Sequence, residues 1–345
     1  MNRVDARATL MYCEAAESGA VVRTQLQRNR ESVARLGRAI AAFAPRAVVT
    51  CARGSSDHAA TYAKYMIETR TGLLTASAAP SVASVYGARQ DLHECLFVVI
   101  SQSGRSPDLV ATARAAKAAG AMVVALVNDR NSPLAGIADQ AIALHAGKER
   151  SVAATKTYIA SLAAIAHFIA AWMEDAALLA QLQRAPDLLA SAWELDWEPA
   201  VAKLKQEGHL FVIARGIGLA VAQEAALKCK ETCGLHAEAF SGAEVLHGPQ
   251  ALLEDGFPTL LLAQDDETRA GMQSLASTLV ARGTAVMIAG ATVPGATVLP
   301  TIEAPAALQP LLLAQSFYKL ANALAIARGR DPDHPPHLRK VTETR

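Results

Sequence analysis

Leu96-Phe-Val-Val-Ile-Ser-Gln-Ser-Gly-Arg-Ser-Pro-Asp108 is the stretch of sequence that decides the fold. An apolar run of strand length leads into a short polar turn, and a helix then begins near Ser106. A buried strand followed at once by a helix is typical of a parallel α/β sheet. Ligands of such sheets bind at the carboxyl ends of the strands, so the polar turn lies where a binding site is expected.

The same alternation continues on both sides of this stretch. A long helix over 153–174 would close the first half, and the segment between the helix breakers Pro186 and Pro199 would connect it to a second half. Strands are predicted in the first half for five short apolar runs, namely 47–51, 73–77, 96–101, 122–127 and 140–144.

The second half repeats the pattern of the first. Ala52-Arg53-Gly54 recurs as Ala214-Arg215-Gly216, and at the same offset 98–101 meets 260–263. Two copies of one fold are the economical interpretation, and chance similarity between alanine-rich segments is the alternative. The 345 residues also exceed the roughly 250–300 at which a single core stops growing, which favours two domains.

The composition excludes several classes of protein. Apolar residues make up 52% and charged residues 19%, as in a globular protein, and 33 basic residues against 32 acidic ones predict no binding of nucleic acid or of an anionic membrane. The longest apolar run, 158–173, is too short to span a bilayer, and the N-terminus lacks a signal sequence. We expect a soluble, cytoplasmic protein.

The five cysteines are expected to be reduced thiols. Their spacing matches neither a secretory disulfide framework nor a tight metal cluster. Cys229 and Cys233 are four residues apart and could form half of a metal site, but small buried residues are the preferred interpretation. We therefore expect no metal and no cofactor.

The turn after the quoted strand carries donors suited to a phosphate. Ser101, Ser103 and Ser106 supply hydroxyls, Gln102 supplies an amide, and Gly104 lets the backbone approach an anion. The helix that follows adds N–H groups and the positive end of its dipole.

A second turn of similar make-up, Gly54-Ser55-Ser56-Asp57, follows the first strand. One serine-rich turn more often caps a helix, but two at neighbouring strand ends favour an anion site. The second-half equivalent of the phosphate turn is Ala263-Gln264-Asp265-Asp266, whose carboxylates would repel phosphate. Only the first copy is therefore predicted to bind one.

The helix from about Leu219 carries Glu224, Lys228 and Glu231, whose spacings of four and three put them on one face. Such a stripe is usually a solvated row of salt bridges. The titratable residues that follow, including His247 in a turn bounded by Gly and Pro, favour an acid/base function instead.

Together these motifs resemble the sugar isomerase (SIS) family, and within it the isomerase half of the glutamine:fructose-6-phosphate amidotransferases (glucosamine-6-phosphate synthases). The resemblance extends from about residue 30 to the tail. It rests on several motifs in order: Ser101-Gln-Ser-Gly104, Val152-Ala-Ala-Thr155-Lys156, Glu224-Ala-Ala-Leu-Lys228-Cys-Lys-Glu231, His236-Ala-Glu-Ala-Phe240, Gly242-Ala-Glu244, His247-Gly-Pro249 and Asp331-Pro-Asp-His-Pro-Pro-His-Leu-Arg-Lys340-Val-Thr.

The resemblance implies an α/β fold with two tandem doubly wound parallel-sheet domains of flavodoxin-like type and a C-terminal tail. We expect an N-terminal helical arm over 1–30, a first, phosphate-binding SIS domain over 31–185, a second SIS domain with the acid/base helix over 195–330, and an active-site tail over 331–345. The loop with Val152 and Thr155 would touch the sugar. The phosphate would be held by Ser55, Ser56, Ser101, Gln102, Ser103 and Ser106.

The resemblance also implies catalytic roles. Glu231 would move a proton between C1 and C2, Lys228 would assist at the neighbouring oxygen, and Glu224 would support them. His247 would open the sugar ring, and Lys340 would form a Schiff base or relay protons. In that family the ring-opening histidine comes from the partner subunit, which implies a homodimer with a shared active site.

The sequence departs from that family at three points. It begins Met1-Asn2 without room for a glutaminase domain, so we expect no use of glutamine as an ammonia source. Arg105 replaces a glutamate and Arg339 replaces a small residue, which leaves the substrate contacts open.

The leading hypothesis is a deaminase that converts glucosamine 6-phosphate to fructose 6-phosphate and ammonia. The alternatives are an aldose–ketose isomerase, a fructosamine-6-phosphate deglycase and a non-enzymatic sugar-phosphate-binding regulator. A nicotinamide enzyme built on Gly216-Ile-Gly218 is disfavoured, because Val221 occupies the third glycine position.

Overall fold

The structure, a computed structural model, describes residues 5–340. The predicted arm and tail extend into 1–4 and 341–345, which lie outside the described residues. The strands in chain order are β1 (Ala47–Cys51), β2 (Thr75–Ser77), β3 (Cys95–Ser101), β4 (Met122–Val127), β5 (Gln140–Ala143), β6 (His209–Ala214), β7 (His236–Ser241), β8 (Pro258–Leu262), β9 (Ala285–Ala289) and β10 (Thr297–Leu299).

Helices alternate with these strands along most of the chain. In chain order they are α1 (Leu10–Ala16), α2 (Ser18–Phe43), α3 (Ser55–Thr71), α4 (Pro80–Ser84), α5 (Pro107–Ala118), α6 (Pro133–Ile137), α7 (Lys156–Trp172), α8 (Ala176–Glu194), α9 (Glu198–Leu204), α10 (Leu219–Lys228), α11 (Arg269–Ala281) and α12 (Gln309–Ala327).

The strands form two five-stranded parallel sheets with the same strand order. The first sheet runs β2-β1-β3-β4-β5, and the second, read in the corresponding direction, runs β7-β6-β8-β9-β10. In each sheet the first strand lies next to one edge, and the second strand forms that edge. The remaining three strands follow in order on the other side of the first strand. The predicted α/β fold with two tandem doubly wound sheets is confirmed.

The apolar runs of the sequence correspond to central strands. Every residue of β3 and of β8 is buried, because helices cover both faces of a parallel sheet and leave no solvated side. The strand predicted over 73–77 begins later, at Thr75, since Leu74 is 71% exposed and lies before the sheet. The continuous burial of β3 and β8 explains why neither strand alternates polar and apolar residues.

The chain divides into two compact units, each built around one sheet. We call them the first-sheet unit and the second-sheet unit. Of the described residues, the first-sheet unit comprises Ala20–Glu149, Lys156–Pro186, Arg339 and Lys340, and the second-sheet unit comprises 5–19, Arg150–Thr155 and Asp187–Leu338. The domain bounds derived from the sequence stay a prediction.

The expected helix break at Pro186 is wrong. Pro186 lies inside α8, which continues to Glu194. The helix buries Leu182, Ala185 and Leu189 at helical spacing, and this burial offsets the roughly 3 kcal/mol that an interior proline costs. Pro199 stands in the first turn of α9, a position where proline is tolerated because no N–H is needed there.

Helix α7 is buried on all sides from Lys156 to Ala170. This burial explains why the helix is apolar around its whole circumference. Across residues 5–340, no helix combines the length and the apolar character that crossing a membrane requires.

His167 is a titratable side chain within α7. It is 5% exposed, and its Nδ1 has no hydrogen-bond partner among the described residues. Burial lowers the pKa of His167 from 6.5 to about 4. As the pH falls through this window, the unfolded chain takes up a proton before the native protein does. The free energy of unfolding should therefore decrease by roughly 3 kcal/mol between pH 6.5 and 4.

Replacing His167 by Leu should remove this part of the pH dependence. Stability at pH 7 should be equal or higher, because an imidazole nitrogen without a partner no longer has to be buried. Urea unfolding at pH 7 and pH 5 measures both effects. His93→Gln, at a side chain that is 71% exposed, is the matched control and should behave like the wild type. A pH dependence as steep in His167→Leu as in the wild type would contradict the assignment.

Candidate active site

The predicted phosphate residues lie at the carboxyl edge of the first sheet. Strands β1 and β3 are neighbours, with Cys51 opposite Val99, so the turns that follow them start at the same edge. One turn begins at Gly54 and the other at Ser101. The structure therefore brings the two serine-rich turns together, and we call them the phosphate cradle.

Hydrogen bonds inside the second turn fix its shape. Ser101 is 6% exposed, and its hydroxyl accepts the N–H of Gly104 at 3.1 Å. The hydroxyl of Ser103 accepts the N–H of Arg105 at 3.3 Å. Gly104 has a φ of 62°, and a Cβ there would lie 2.2 Å from the Oγ of Ser132. Glycine is therefore required at this point of the turn.

Both cradle turns lead directly into helices. Ser106 is the N-cap residue of α5, and its hydroxyl makes no capping hydrogen bond to the described backbone. Ser55 and Ser56 are the first residues of α3, and both are half-buried. Two helix N-termini, each the positive end of a helix dipole, thus begin at this edge beside hydroxyl groups.

Two arginines beside the cradle bind carboxylates. The Nε and Nη2 of Arg53 lie 3.0 and 2.9 Å from Oδ2 of Asp108, whose side chain is 1% exposed. This pair offsets a negative charge that would oppose a phosphate at the start of α5. Arg105 binds Asp129 at 2.7 Å, and this hydrogen bond lowers the pKa of Asp129. Arg105 departs from the family pattern, whereas Arg53 was not among the predicted site residues.

Lys340 in the tail forms an ion pair with Glu149 in the first-sheet unit. The two atoms, Nζ and Oε2, are 3.0 Å apart, and the Glu149 side chain is 0% exposed. Glu149 also accepts the N–H and the hydroxyl of Thr157, at 3.2 and 2.6 Å. A buried carboxylate needs such partners to stay charged. Glu149 was not among the predicted residues, because one glutamate in a loop has no diagnostic spacing.

The segment predicted to touch the sugar, Arg150–Thr155, directly follows Glu149 in the chain and belongs to the second-sheet unit. Val152 is half-buried and Thr155 is 0% exposed. Glu14 of α1 accepts hydrogen bonds from backbone N–H groups at the start of this segment.

The predicted acid/base residues gather around Lys228 in the second-sheet unit. Helix α10 ends at Lys228, and the π-helical turn Cys229–Cys233 that follows carries Glu231. The Nζ of Lys228 contacts Oε2 of Glu231 and lies 3.6 Å from Oε1 of Glu224. Lys228 and Glu224 are each 1% exposed and Glu231 is 23% exposed. The three residues are therefore a buried cluster with one carboxylate open to solvent, and not a solvated row.

Glu224 has a further partner that the sequence does not indicate. Tyr318 of α12 is buried, and its hydroxyl donates to Oε1 of Glu224 at 3.0 Å. The same carboxylate oxygen thus faces the Tyr318 hydroxyl and the Lys228 ammonium. The hydrogen bond from Tyr318 therefore fixes the position of the Glu224 carboxylate relative to the Lys228 ammonium.

His247 lies apart from this cluster in the same unit. It is exposed, on the 3₁₀ turn Glu244–His247 that follows β7. It lines a cavity of about 470 Å³, whose other walls include Arg215, Gly242 and Glu267. Lys228 and Glu231 do not line this cavity.

Cys229 and Cys233 are buried free thiols. The Sγ of Cys233 lies 3.3 Å from the backbone oxygen of Ala321, as expected for a small residue packed between helices. Within residues 5–340 there is no group of three or more His, Cys, Asp or Glu side chains that could hold a metal ion.

Comparison with known proteins adds the family context. The family model described as SIS domain matches residues 44–171 and 203–292. The glutamine–fructose-6-phosphate aminotransferase (isomerizing) of Aeropyrum pernix is 34% identical over 310 residues, which cover 84% of this chain and 49% of that protein. The chain spans about half the length of the curated relatives it matches.

Two solved structures match over nearly the whole chain. One is a protein of Silicibacter pomeroyi, provisionally described as a phosphosugar isomerase, with 45% identity and a TM-score of 0.91 over 94% of this chain and 100% of that one. The other is the C-terminal domain of the glucosamine-fructose-6-phosphate aminotransferase of Francisella tularensis, with 25% identity and a TM-score of 0.87 over 95% and 98% of the two chains.

Replacing Gly104 by Ala should distort the phosphate cradle. Gly72 has a similar φ of 73° and open space where a Cβ would lie, so Gly72→Ala carries the same backbone strain without a collision. Each substitution should lower the free energy of unfolding by about 1–3 kcal/mol. Only Gly104→Ala should also weaken phosphate binding, by about tenfold or more. Thermal shifts titrated with inorganic phosphate measure this, and equal responses from both variants would contradict the cradle.

Proposed function

Because the chain belongs to the SIS domain family, we propose that it is a phosphosugar enzyme that converts glucosamine 6-phosphate to fructose 6-phosphate and ammonia. The observation that carries this proposal is the buried Lys228 between Glu224 and Glu231. A carboxylate beside a fixed ammonium is suited to move a proton between adjacent carbons while the lysine stabilises the charge on the oxygen.

The substrate is bound through its phosphate and opened at its ring. Ring opening moves the proton of O1 to the ring oxygen, a step for which a histidine is suited at neutral pH. In our proposal His247 serves this step from a second copy of the chain in a homodimer. The phosphate is bound by the cradle, that is by Ser55, Ser56, Ser101, Gln102, Ser103 and Ser106, and Val152 and Thr155 contact the sugar.

Glu231 then carries the proton transfer. It takes the proton from C2 of the open-chain amino sugar, which leaves an enolamine across C1 and C2, and returns the proton to C1 to give a C2 ketimine. Lys228 donates a hydrogen bond to O1 while the negative charge is on that oxygen, and Glu224 holds Lys228. O1 takes up a proton as it becomes the C1 hydroxyl, and the C2 nitrogen releases one as the ketimine forms. The 23% exposure of Glu231 supports its role as the proton carrier, because a carboxylate that is open to solvent is accessible to a substrate.

Hydrolysis completes the reaction. Water adds to C2 of the ketimine and ammonia leaves, so that glucosamine 6-phosphate and water give fructose 6-phosphate and ammonia. Lys340 forms a Schiff base with the open-chain ketose or relays a proton at C2. Glu149, 3.0 Å from the Lys340 ammonium, is suited to accept the proton that this amine must lose first.

The ion pair between Lys340 and Glu149 favours a second candidate, an aldose–ketose isomerase. An ammonium held by a buried carboxylate is not a nucleophile, and isomerisation of a 6-phosphosugar needs no imine. Glu231 and Lys228 would then act in the same way on a substrate that carries a hydroxyl at C2.

Glu231→Gln should lower ammonia release from glucosamine 6-phosphate by about 10²–10⁴-fold, since the amide cannot accept the C2 proton. The affinity for phosphate should not change. Glu254→Gln, at an exposed glutamate, is the control and should retain activity. The measurement is a coupled assay for ammonia and fructose 6-phosphate. No ammonia from the wild type at millimolar substrate would reject the deaminase, and turnover of glucose 6-phosphate in that case would favour the isomerase.

Lys340→Met tests the Schiff-base role of Lys340. If Lys340 forms an imine, borohydride should trap fructose 6-phosphate on the wild type and not on the variant, and kcat should fall by about 100-fold or more. Mass spectrometry of the reduced protein locates the adduct. Turnover by the wild type without a trapped adduct would contradict the Schiff-base role, and a variant with unchanged kcat would exclude Lys340 from the chemistry.

A further inference from the structure

Helix α1 is held at its N-terminal end by the segment that leads to Lys340. The two carboxylate oxygens of Asp333 accept the N–H groups of Leu10 and Met11, at 2.7 and 2.8 Å. Thr9, the N-cap of α1, donates its hydroxyl to the side chain of Asn322 in α12 at 2.6 Å. The start of α1 is thereby fixed to the tail of the second-sheet unit.

The same helix holds the loop that follows Glu149. Glu14 is 5% exposed, and its two oxygens accept the N–H groups of Arg150 and Ser151, at 2.5 and 3.0 Å. Two adjacent peptide groups bound by one carboxylate cannot rotate independently. Glu14 therefore fixes the orientation of the first two peptide groups of Arg150–Thr155.

A role in packing alone does not account for this arrangement. Met11 and Ala15 are both 0% exposed and supply the apolar contacts of α1. A buried carboxylate adds a desolvation cost of several kcal/mol that an apolar residue would avoid. Among the described residues, the hydrogen bonds that offset this cost are those to Arg150 and Ser151, so Glu14 contributes the geometry of those two peptide groups.

Both attached segments lead to groups that the proposed reaction uses. Asp333 precedes Lys340 by seven positions, and Arg150 directly follows Glu149, the carboxylate that binds Lys340. We infer that Glu14 and Asp333 are positioning residues, which act through the loop at Arg150 and through the tail and do not touch the substrate. This inference rests on the proposed function. Helix α1 then belongs to the catalytic apparatus although it carries no reacting group.

Glu14→Gln tests the inference with a minimal change of shape. The amide keeps one oxygen acceptor but turns an NH₂ group toward a backbone N–H, so one of the two bonds is lost. We expect kcat to fall by about tenfold, because small displacements near reacting groups cost one to two orders of magnitude. The affinity for inorganic phosphate should stay within about twofold, since the cradle is not touched. Glu17→Gln, at an exposed glutamate just beyond α1, should match the wild type.

Amide hydrogen exchange gives a readout that does not depend on turnover. The N–H groups of Arg150 and Ser151 should exchange about tenfold faster in Glu14→Gln, while the amides of the two sheets should exchange as in the wild type. If the wild type lacks the proposed activity but this exchange difference is present, the proposed function fails and the structural link stands. Unchanged exchange, or faster exchange with an unchanged kcat in an active enzyme, would overturn the inference.

Asp333→Asn tests the other end of α1, should Glu14→Gln fail to fold. It should lower kcat and leave the phosphate affinity within about twofold, for the same reason. An Asp333→Asn protein that is folded and fully active would overturn the role of the helix. A loss of phosphate affinity equal to the loss of kcat would also overturn it, because it would indicate general damage to the fold.

Discussion

Lys228 carries an ammonium group to a position that is 1% exposed. Removing such an ion from water costs several kcal/mol, and nearby carboxylates must offset that cost. Glu224 and Glu231 do so from the preceding and the following turn, and Tyr318 orients Glu224 from α12. The position of α12 against α10 and the course of the chain after Lys228 are therefore constrained by one buried charge. The same constraint holds the side chains of Glu224, Lys228 and Glu231 together.

The turns at the carboxyl edges of the two sheets carry different polar side chains, although the two sheets share one strand order. At the first edge, the hydroxyl of Ser106 makes no capping hydrogen bond to the described backbone and is a donor suited to an anion. At the second edge, the side-chain amide of Gln264 binds the backbone oxygen of Arg215 at 3.2 Å and a carboxylate oxygen of Asp266 at 2.6 Å. The side-chain NH₂ group of Gln264 is therefore already bonded to two acceptors of its own unit. The shared strand order thus fixes where a site can form, and the side chains in the turns decide whether one does.

The sequence predicted what depends on local pattern. Central strands such as β3 were recognised because burial on both faces demands continuous apolar residues, and Glu224, Lys228 and Glu231 because helical spacing brings them together. The prediction at Pro186 was wrong because packing of α8 outweighs the local preference of proline. The π-helical turn after Lys228 has no sequence pattern of its own, although such turns are frequent at functional sites.

The residues that the sequence analysis missed share a different property. These residues contact partners that are distant in sequence. Glu149 and Lys340 are 191 positions apart, Glu14 and Arg150 are 136 apart, and Tyr318 and Glu224 are 94 apart. Separations of this size leave no periodic signal, so only the folded chain reveals them. In each case a buried glutamate is involved, and a buried carboxylate is tolerated only where its partners are fixed. Because burying a carboxylate is costly, the partners of Glu14, Glu149 and Glu224 must occupy defined positions. Two of these partners are Lys340 and Lys228, the lysines to which the proposed reaction assigns a role.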